Sequence, residues 1–98
     1  MRESKYQRRL ILKLEAMFPG CVIMRNDPRY VQGIPDILIL YNDCWAMLEA
    51  KIDHEAPIQP NQEYYVDLFN RMSFASFIYP EIEEDVLHDL QRALRSSR

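Results

Sequence analysis

Two strand candidates stand back to back near the middle of the chain, residues 37–41 and 44–51, with only Asn42 and Asp43 between them. Two residues allow nothing looser than a tight β-hairpin, and Asn and Asp tolerate the positive φ such a turn requires. With these two as the loop, Tyr41 faces Cys44, and counting outward pair by pair brings Asp36 opposite Glu49. Directly opposed residues project from the same side of the ladder, with Cβ atoms about 4.5–5.5 Å apart. Glu49 and Lys51 are two residues apart and share that side as well. Two carboxylates and an ammonium group therefore converge at the open end of a hairpin. The neighbouring strand residues Ile37, Leu38, Ile39 and Leu40, and Trp45, Ala46, Met47 and Leu48, are apolar enough to make it a central one. Adjacent carboxylates in such a place repel unless positive charge lies between them. A divalent cation with hard oxygen ligands meets that need; Lys51 as a simple ion-pair partner is the alternative.

The flanking segments predict the rest. Residues 4–18 have helical periodicity, with Gln7, Leu10, Leu14 and Met17 as a stripe widened by Tyr6, Ile11 and Phe18. Ser4 with Gln7 fits a capping box, and Pro19-Gly20 stops the helix. Glu3 falls on the same stripe and points toward the core side, a fourth candidate for the carboxylate site; complementing the helix dipole is its other reading. Residues 21–24 read as a strand and 26–33, with Pro28 and Gly33, as a loop. After a second loop at 53–60, Pro60 opens a helix to about residue 72, with Tyr65, Leu68, Phe69 and Met72 on its apolar side. Residues 73–79 form a strand closed by Pro80. A last helix carries Ile82, Val86, Leu90 and Leu94 on its inner stripe, with an acidic start and a basic end at Arg92, Arg95 and Arg98. The order α-β-β-β-α-β-α predicts an α/β fold, a mixed sheet with helices packed on it.

Ninety-eight residues suit one domain, 1–98. No apolar run reaches the eighteen or so residues of a membrane span, and the charged amphipathic N-terminus is unlike a secretory leader. The expected location is the cytoplasm. Cys21 and Cys44 lack partners at metal-ligand spacing and read as buried free thiols. The net charge of −3 runs against a polyanionic partner, but the charge is unevenly spread. Residues 1–35 hold seven Lys/Arg against three Asp/Glu, and residues 36–98 hold five against twelve. A basic face beside an acidic centre suits phosphate chemistry assisted by a metal.

Gly33-Ile34-Pro35-Asp36, an apolar strand, a tight turn and Glu49-Ala50-Lys51 resemble the PD-(D/E)XK nuclease signature. With Glu3 and Gln7 in the first helix and Gln62 after the second loop, the chain is similar to the small stand-alone members of the virus-type replication-repair nuclease (VRR-NUC) family, over residues 3 to about 79. The resemblance implies a four-stranded mixed sheet flanked by helices, with Mg²⁺ or Mn²⁺ as cofactor. Asp36, Glu49, the backbone carbonyl of Ala50 and, through water, Glu3 would hold the cation, which would polarise the scissile phosphate and activate the attacking water. Lys51 would orient that water and stabilise developing charge, and Gln62 would position the lysine or the water. Arg8, Arg9, Arg25 and Arg29 would hold DNA backbone. The function this implies is a metal-dependent DNA endonuclease selective for branched or four-way-junction DNA, acting as a homodimer, with outward-facing Leu12 as a candidate dimer contact. A catalytically silent DNA-binding or assembly subunit and a sequence-preferring restriction-type endonuclease are the alternatives. His54 stands close to Lys51 in sequence but reads as a solvated loop residue.

Overall fold

A computed structural model describes residues 2–95. Helix α1 (Glu3–Met17) leads into strand β1 (Val22–Arg25), and the central hairpin is β2 (Ile37–Tyr41) and β3 (Cys44–Ala50). Helix α2 (Gln62–Met72), strand β4 (Phe74–Ile78), a 3₁₀ turn (Pro80–Ile82) and helix α3 (Glu83–Arg95) follow. Arg98, expected at the basic end of the last helix, lies outside the described residues. The strands form one mixed sheet in the order β1-β2-β3-β4. β2 pairs antiparallel with both neighbours, and β4 joins β3 in parallel. A parallel neighbour requires a crossover connection, and α2 supplies it.

The hairpin has the register that its two-residue loop dictates: Tyr41 pairs with Cys44 and Ile37 with Leu48. Of the turn residues only Asn42 takes positive φ, at 57°. Alternation along the strands divides the sheet into two unlike faces. On the first, Ile37, Ile39, Ala46, Leu48, Ala50 and Ile78 are fully buried. They pack against Tyr6, Leu10, Leu14 and Phe18 of α1 and Val86, Leu87, Leu90 and Leu94 of α3, which together make the core. The second face carries Leu38, Leu40, Trp45 and Met47 and is covered by α2 alone, whose Phe69 ring meets Trp45 edge-on at 6.2 Å between centroids.

Several local details differ from the sequence reading. Helix α1 starts at Glu3 with Arg2 as its N-cap and no side-chain cap, so Ser4 lies inside the first turn and the capping box does not form. Its buried stripe runs through Tyr6 rather than Gln7, about one residue round, which turns Gln7 toward the strand ends. Strand β1 begins at Val22, leaving Cys21 in the preceding turn, and both cysteines are half-buried free thiols rather than fully buried ones. Pro60 sits in a turn, and α2 opens at Gln62 after Asn61 in the left-handed region at φ 72°. Met72, expected on the apolar side of α2, is exposed. No described helix is long and apolar enough to cross a membrane.

Gly33 joins the first loop to the start of α2. Its φ is +90°, and a Cβ there would fall 2.6 Å from Asn61 Cβ and 2.8 Å from the Pro60 carbonyl oxygen. Gly20 has almost the same φ, +89°, with open space around it. Gly20→Ala should therefore lose about 1–3 kcal/mol from backbone strain alone, and Gly33→Ala distinctly more. Urea unfolding of the two variants tests this, and equal losses would mean that the Gly33–Asn61 approach has no energetic weight.

Candidate active site

One row beyond the Ile37–Leu48 pair, on the second face, stand Asp36 and Glu49. Asn26 sets the backbone on which Asp36 rides: its amide donates to the Asp36 carbonyl at 2.8 Å, and its side-chain Nδ2 donates to the Pro35 carbonyl at 2.8 Å. The Asp36 carboxylate reaches across the hairpin, where Oδ2 accepts from the Ala50 amide at 3.2 Å. Gln7, at the N-terminal end of α1, hydrogen-bonds the same carboxylate. Glu49 is only 1% exposed. Its Oε2 accepts from Gln62 Nε2 at 3.0 Å, while Oε1 is buried with no hydrogen-bond partner.

The two carboxylates are close enough to titrate as a pair. Burial pushes Glu49 up to about 9, helped by the Asp36 charge and by a hydrogen bond with the Asp36 carboxyl; Lys51 opposes the shift. Burial also raises Asp36, while its bonds to Glu49, the Ala50 amide and Gln7, together with Lys51, pull it back. Without a cation between them, the pair keeps a proton near neutral pH.

Lys51 is 5% exposed. Its Nζ stands 3.9 Å from Glu49 Oε2, yet its close hydrogen bonds go to neutral oxygens: Gln62 Oε1 at 2.7 Å and the Pro57 carbonyl at 3.0 Å. A lysine serving simply as an ion-pair partner would close on the carboxylate; this one is held beside it. Gln62 links the two, donating to Glu49 and accepting from both Lys51 and the Gln59 amide, the latter at 2.8 Å. That pattern leaves one orientation for its amide.

These groups line a cleft of about 670 Å³. Glu3 lines it too, at the rim, where burial and the Asp36 charge raise its pKa and Lys51 lowers it. Among the described residues no group of three or more His, Cys, Asp or Glu is arranged to hold a metal ion directly. Arg29 also reaches the cleft, pinned by Asp27 through Nε and Nη2, each at 3.1 Å. Arg8 shares a separate shallow patch with Arg2 and Lys5. Arg9 lies with Lys13 beside Tyr6 and Glu83, and its charge helps hold Glu83 down. Arg25 ends β1, exposed. His54 is exposed as well, but its Nδ1 lies 2.6 Å from Glu81 Oε2, a partner that raises its pKa. The sequence reading passed over Asn26 and the carbonyl of Pro57. An Asn ten residues before the aspartate has no motif to mark it, and a backbone carbonyl leaves no trace in residue type.

The fold is that of a PD-(D/E)XK-type nuclease core. It is similar to Hjc, a Holliday junction resolvase from the archaeal hyperthermophile Archaeoglobus fulgidus, with a TM-score of 0.53 and 19% identity over 78% of this chain and 67% of that one. No family model matches the chain, and no curated protein sequence matches it.

A carboxylate whose pKa is raised by folding stabilises the protein most below its unfolded value, and that contribution fades as pH rises through the folded value. With Glu49 moving from 4.5 to about 9, metal-free protein should lose stability steadily across that window, and Glu49→Gln should flatten the slope. Urea midpoints measured across the window in the presence of a chelator check it. An unchanged slope in Glu49→Gln would mean that another group carries the titration.

Proposed function

We propose that this chain is a divalent-metal-dependent DNA endonuclease of the VRR-NUC kind, acting as a homodimer on branched DNA, with four-way junctions the favoured class. The observation that carries this reading is the buried, partnerless Glu49 Oε1 beside Asp36 at the end of a central hairpin. The donor set fits Mg²⁺ or Mn²⁺: two hard carboxylates, one with a free oxygen, and an open cleft for water and substrate oxygens. Mg²⁺ is commonly held by one or two carboxylates, with water and substrate completing its shell. Asp36 and Glu49 would be the direct protein ligands, the Ala50 carbonyl a third, and Glu3 would act from the rim through water. When bound, the cation polarises a phosphodiester and lowers the pKa of water beside it.

The chain's own groups do the rest. Lys51, held by Gln62 and Pro57, keeps an ammonium at the cleft where charge develops on the phosphate oxygens. Gln62 fixes the lysine and Glu49 at a constant separation. Arg29 offers a cation at the cleft rim, and Arg8, Arg9 and Arg25 would contact DNA backbone farther out. The similarity in fold to a Holliday junction resolvase supports the choice of substrate class. As a cytoplasmic nuclease, the domain would hold DNA by its backbone and read it by shape.

Purified protein should nick branched DNA only with added Mg²⁺ or Mn²⁺, and a four-way junction faster than duplex. Lys51→Ala should cut at least ~100-fold more slowly while still binding Mn²⁺ in calorimetry. Wild-type cleavage by that variant would refute the assigned site. Absence of carboxylate-dependent Mn²⁺ binding by the wild type would point instead to a silent DNA-binding subunit.

Calorimetry of Gln62→Glu gives a separate check on the clamp. A carboxylate at position 62 sets a third negative group against Glu49 where an amide now donates. Cleavage should fall by roughly 10–100-fold while Mn²⁺ still binds, and unaltered cleavage would remove Gln62 from the site.

A further inference from the structure

One wall of the cleft comes from the first loop, through Pro28, Arg29, Gln32 and Gly33. Tyr30 stands within that stretch and is 90% exposed. The other exposed tyrosine, Tyr64, rests its ring against Tyr65 at 5.0 Å between centroids. Among the described residues, no ring meets that of Tyr30. A single exposed apolar side chain is ordinary on a surface. What sets this one apart is how firmly it is presented.

The Tyr30 amide donates to the Asp27 carbonyl at 3.1 Å, and the Ile34 amide to the Val31 carbonyl at 3.2 Å. Two turns therefore follow one another through the loop. Asp27 also accepts from the Arg29 amide at 2.9 Å and from its guanidinium. Gly33 seats the far end of the loop against Pro60 and Asn61, and Asn26 braces it through the Pro35 carbonyl. Ring and guanidinium are thus consecutive on one fixed lip, the Arg29 side chain being 90% exposed as well. Groups held in place beforehand lose less entropy when a ligand arrives.

A cation and an aromatic face, side by side at a cleft that ends in two carboxyl groups, suit one kind of ligand. Asp27 takes Nε and Nη2 of Arg29, and Nη1 remains for a phosphate. The ring has no use for a phosphate. In a continuous duplex the bases lie stacked on one another behind sugar and phosphate. Only a strand with a base out of the stack offers a π face beside its phosphates. We infer that Tyr30 stacks on an unpaired base next to the phosphate held at Arg29, which makes it the residue that favours a branch point over continuous duplex. This deepens the nuclease reading above and rests on it for the identity of the strand.

The probes are a forked DNA with 2-aminopurine as the unpaired base at the branch, and a continuous duplex of equal length. A chelator keeps both uncut. Wild-type protein should bind the fork and quench the 2-aminopurine, whose fluorescence falls on stacking. Tyr30→Ala should raise the fork dissociation constant by roughly 10–100-fold, abolish the quenching and leave duplex binding unchanged. Tyr30→Trp should restore both, while Tyr30→Leu, apolar but without a π face, should restore neither. Tyr64→Ala should behave as wild type. Equal losses on fork and duplex, quenching that survives Tyr30→Ala, rescue by leucine, or the same loss from Tyr64→Ala would each overturn the assignment. Cleavage in Mn²⁺ is scored apart. Tyr30-dependent quenching by a protein that cuts nothing would sink the nuclease reading and leave the stacking. Branched DNA cut by Tyr30→Ala as fast and as selectively as by wild type would sink the stacking alone.

Discussion

Two carboxyl groups held together in a buried place are the constraint around which this molecule is arranged. Asp36 and Glu49 have no freedom to separate, because the register that opposes them is enforced by five consecutive backbone pairs and by a fully buried first face. A slip of one residue would turn that whole apolar set to the wrong side. The hydrophobic core thus supplies the force that keeps the two carboxyl groups adjacent. The donors nearby, from the Ala50 amide, Gln7 and Gln62, answer part of the negative charge. Glu49 Oε1 is the part left unanswered, and burial makes that gap costly.

The second half of the site comes from the start of α2. Asn61 in the left-handed region aims Gln62 back at the hairpin, and Gly33 lets the first loop press against that turn. Loops on either side of the sheet are therefore in register with each other through backbone contact. Lys51 depends on the same arrangement, since Gln62 and Pro57 are its hydrogen-bond partners. Holding an ammonium with neutral oxygens leaves its charge available to the cleft rather than cancelled by Glu49. The loop carrying Pro57 is tied in turn to the 3₁₀ turn through His54 and Glu81.

The hairpin was legible in the sequence because two physical signals there agree: a loop too short for alternatives and strands that are apolar from Ile37 to Leu40 and from Trp45 to Leu48. Period and turn length together specify which side chains meet, so the opposition of Asp36 and Glu49 followed from counting. Helix α3 was equally plain, its stripe being sharp on one side and charged on the other. The start of α1 was not, because Ser4 and Gln7 match a cap pattern that tertiary contacts override, Gln7 being used by Asp36 instead. Nor was Met72, since an apolar residue in a helix reads as core whether or not the sheet extends beneath it. Periodicity marks the greasy side of a helix; which neighbour covers that side depends on how many helices the sheet receives.

That last point connects the site to the uneven dressing of the sheet. The Asp36–Glu49 row continues the apolar rows of the second face without a break. A second helix from the same chain, long enough to cover β1 and β2, would be free to run on over the carboxylates and shut them from any substrate. Leaving the β1–β2 half of that face uncovered, with α2 packed over β3 and β4, keeps the carboxylate row open to the cleft.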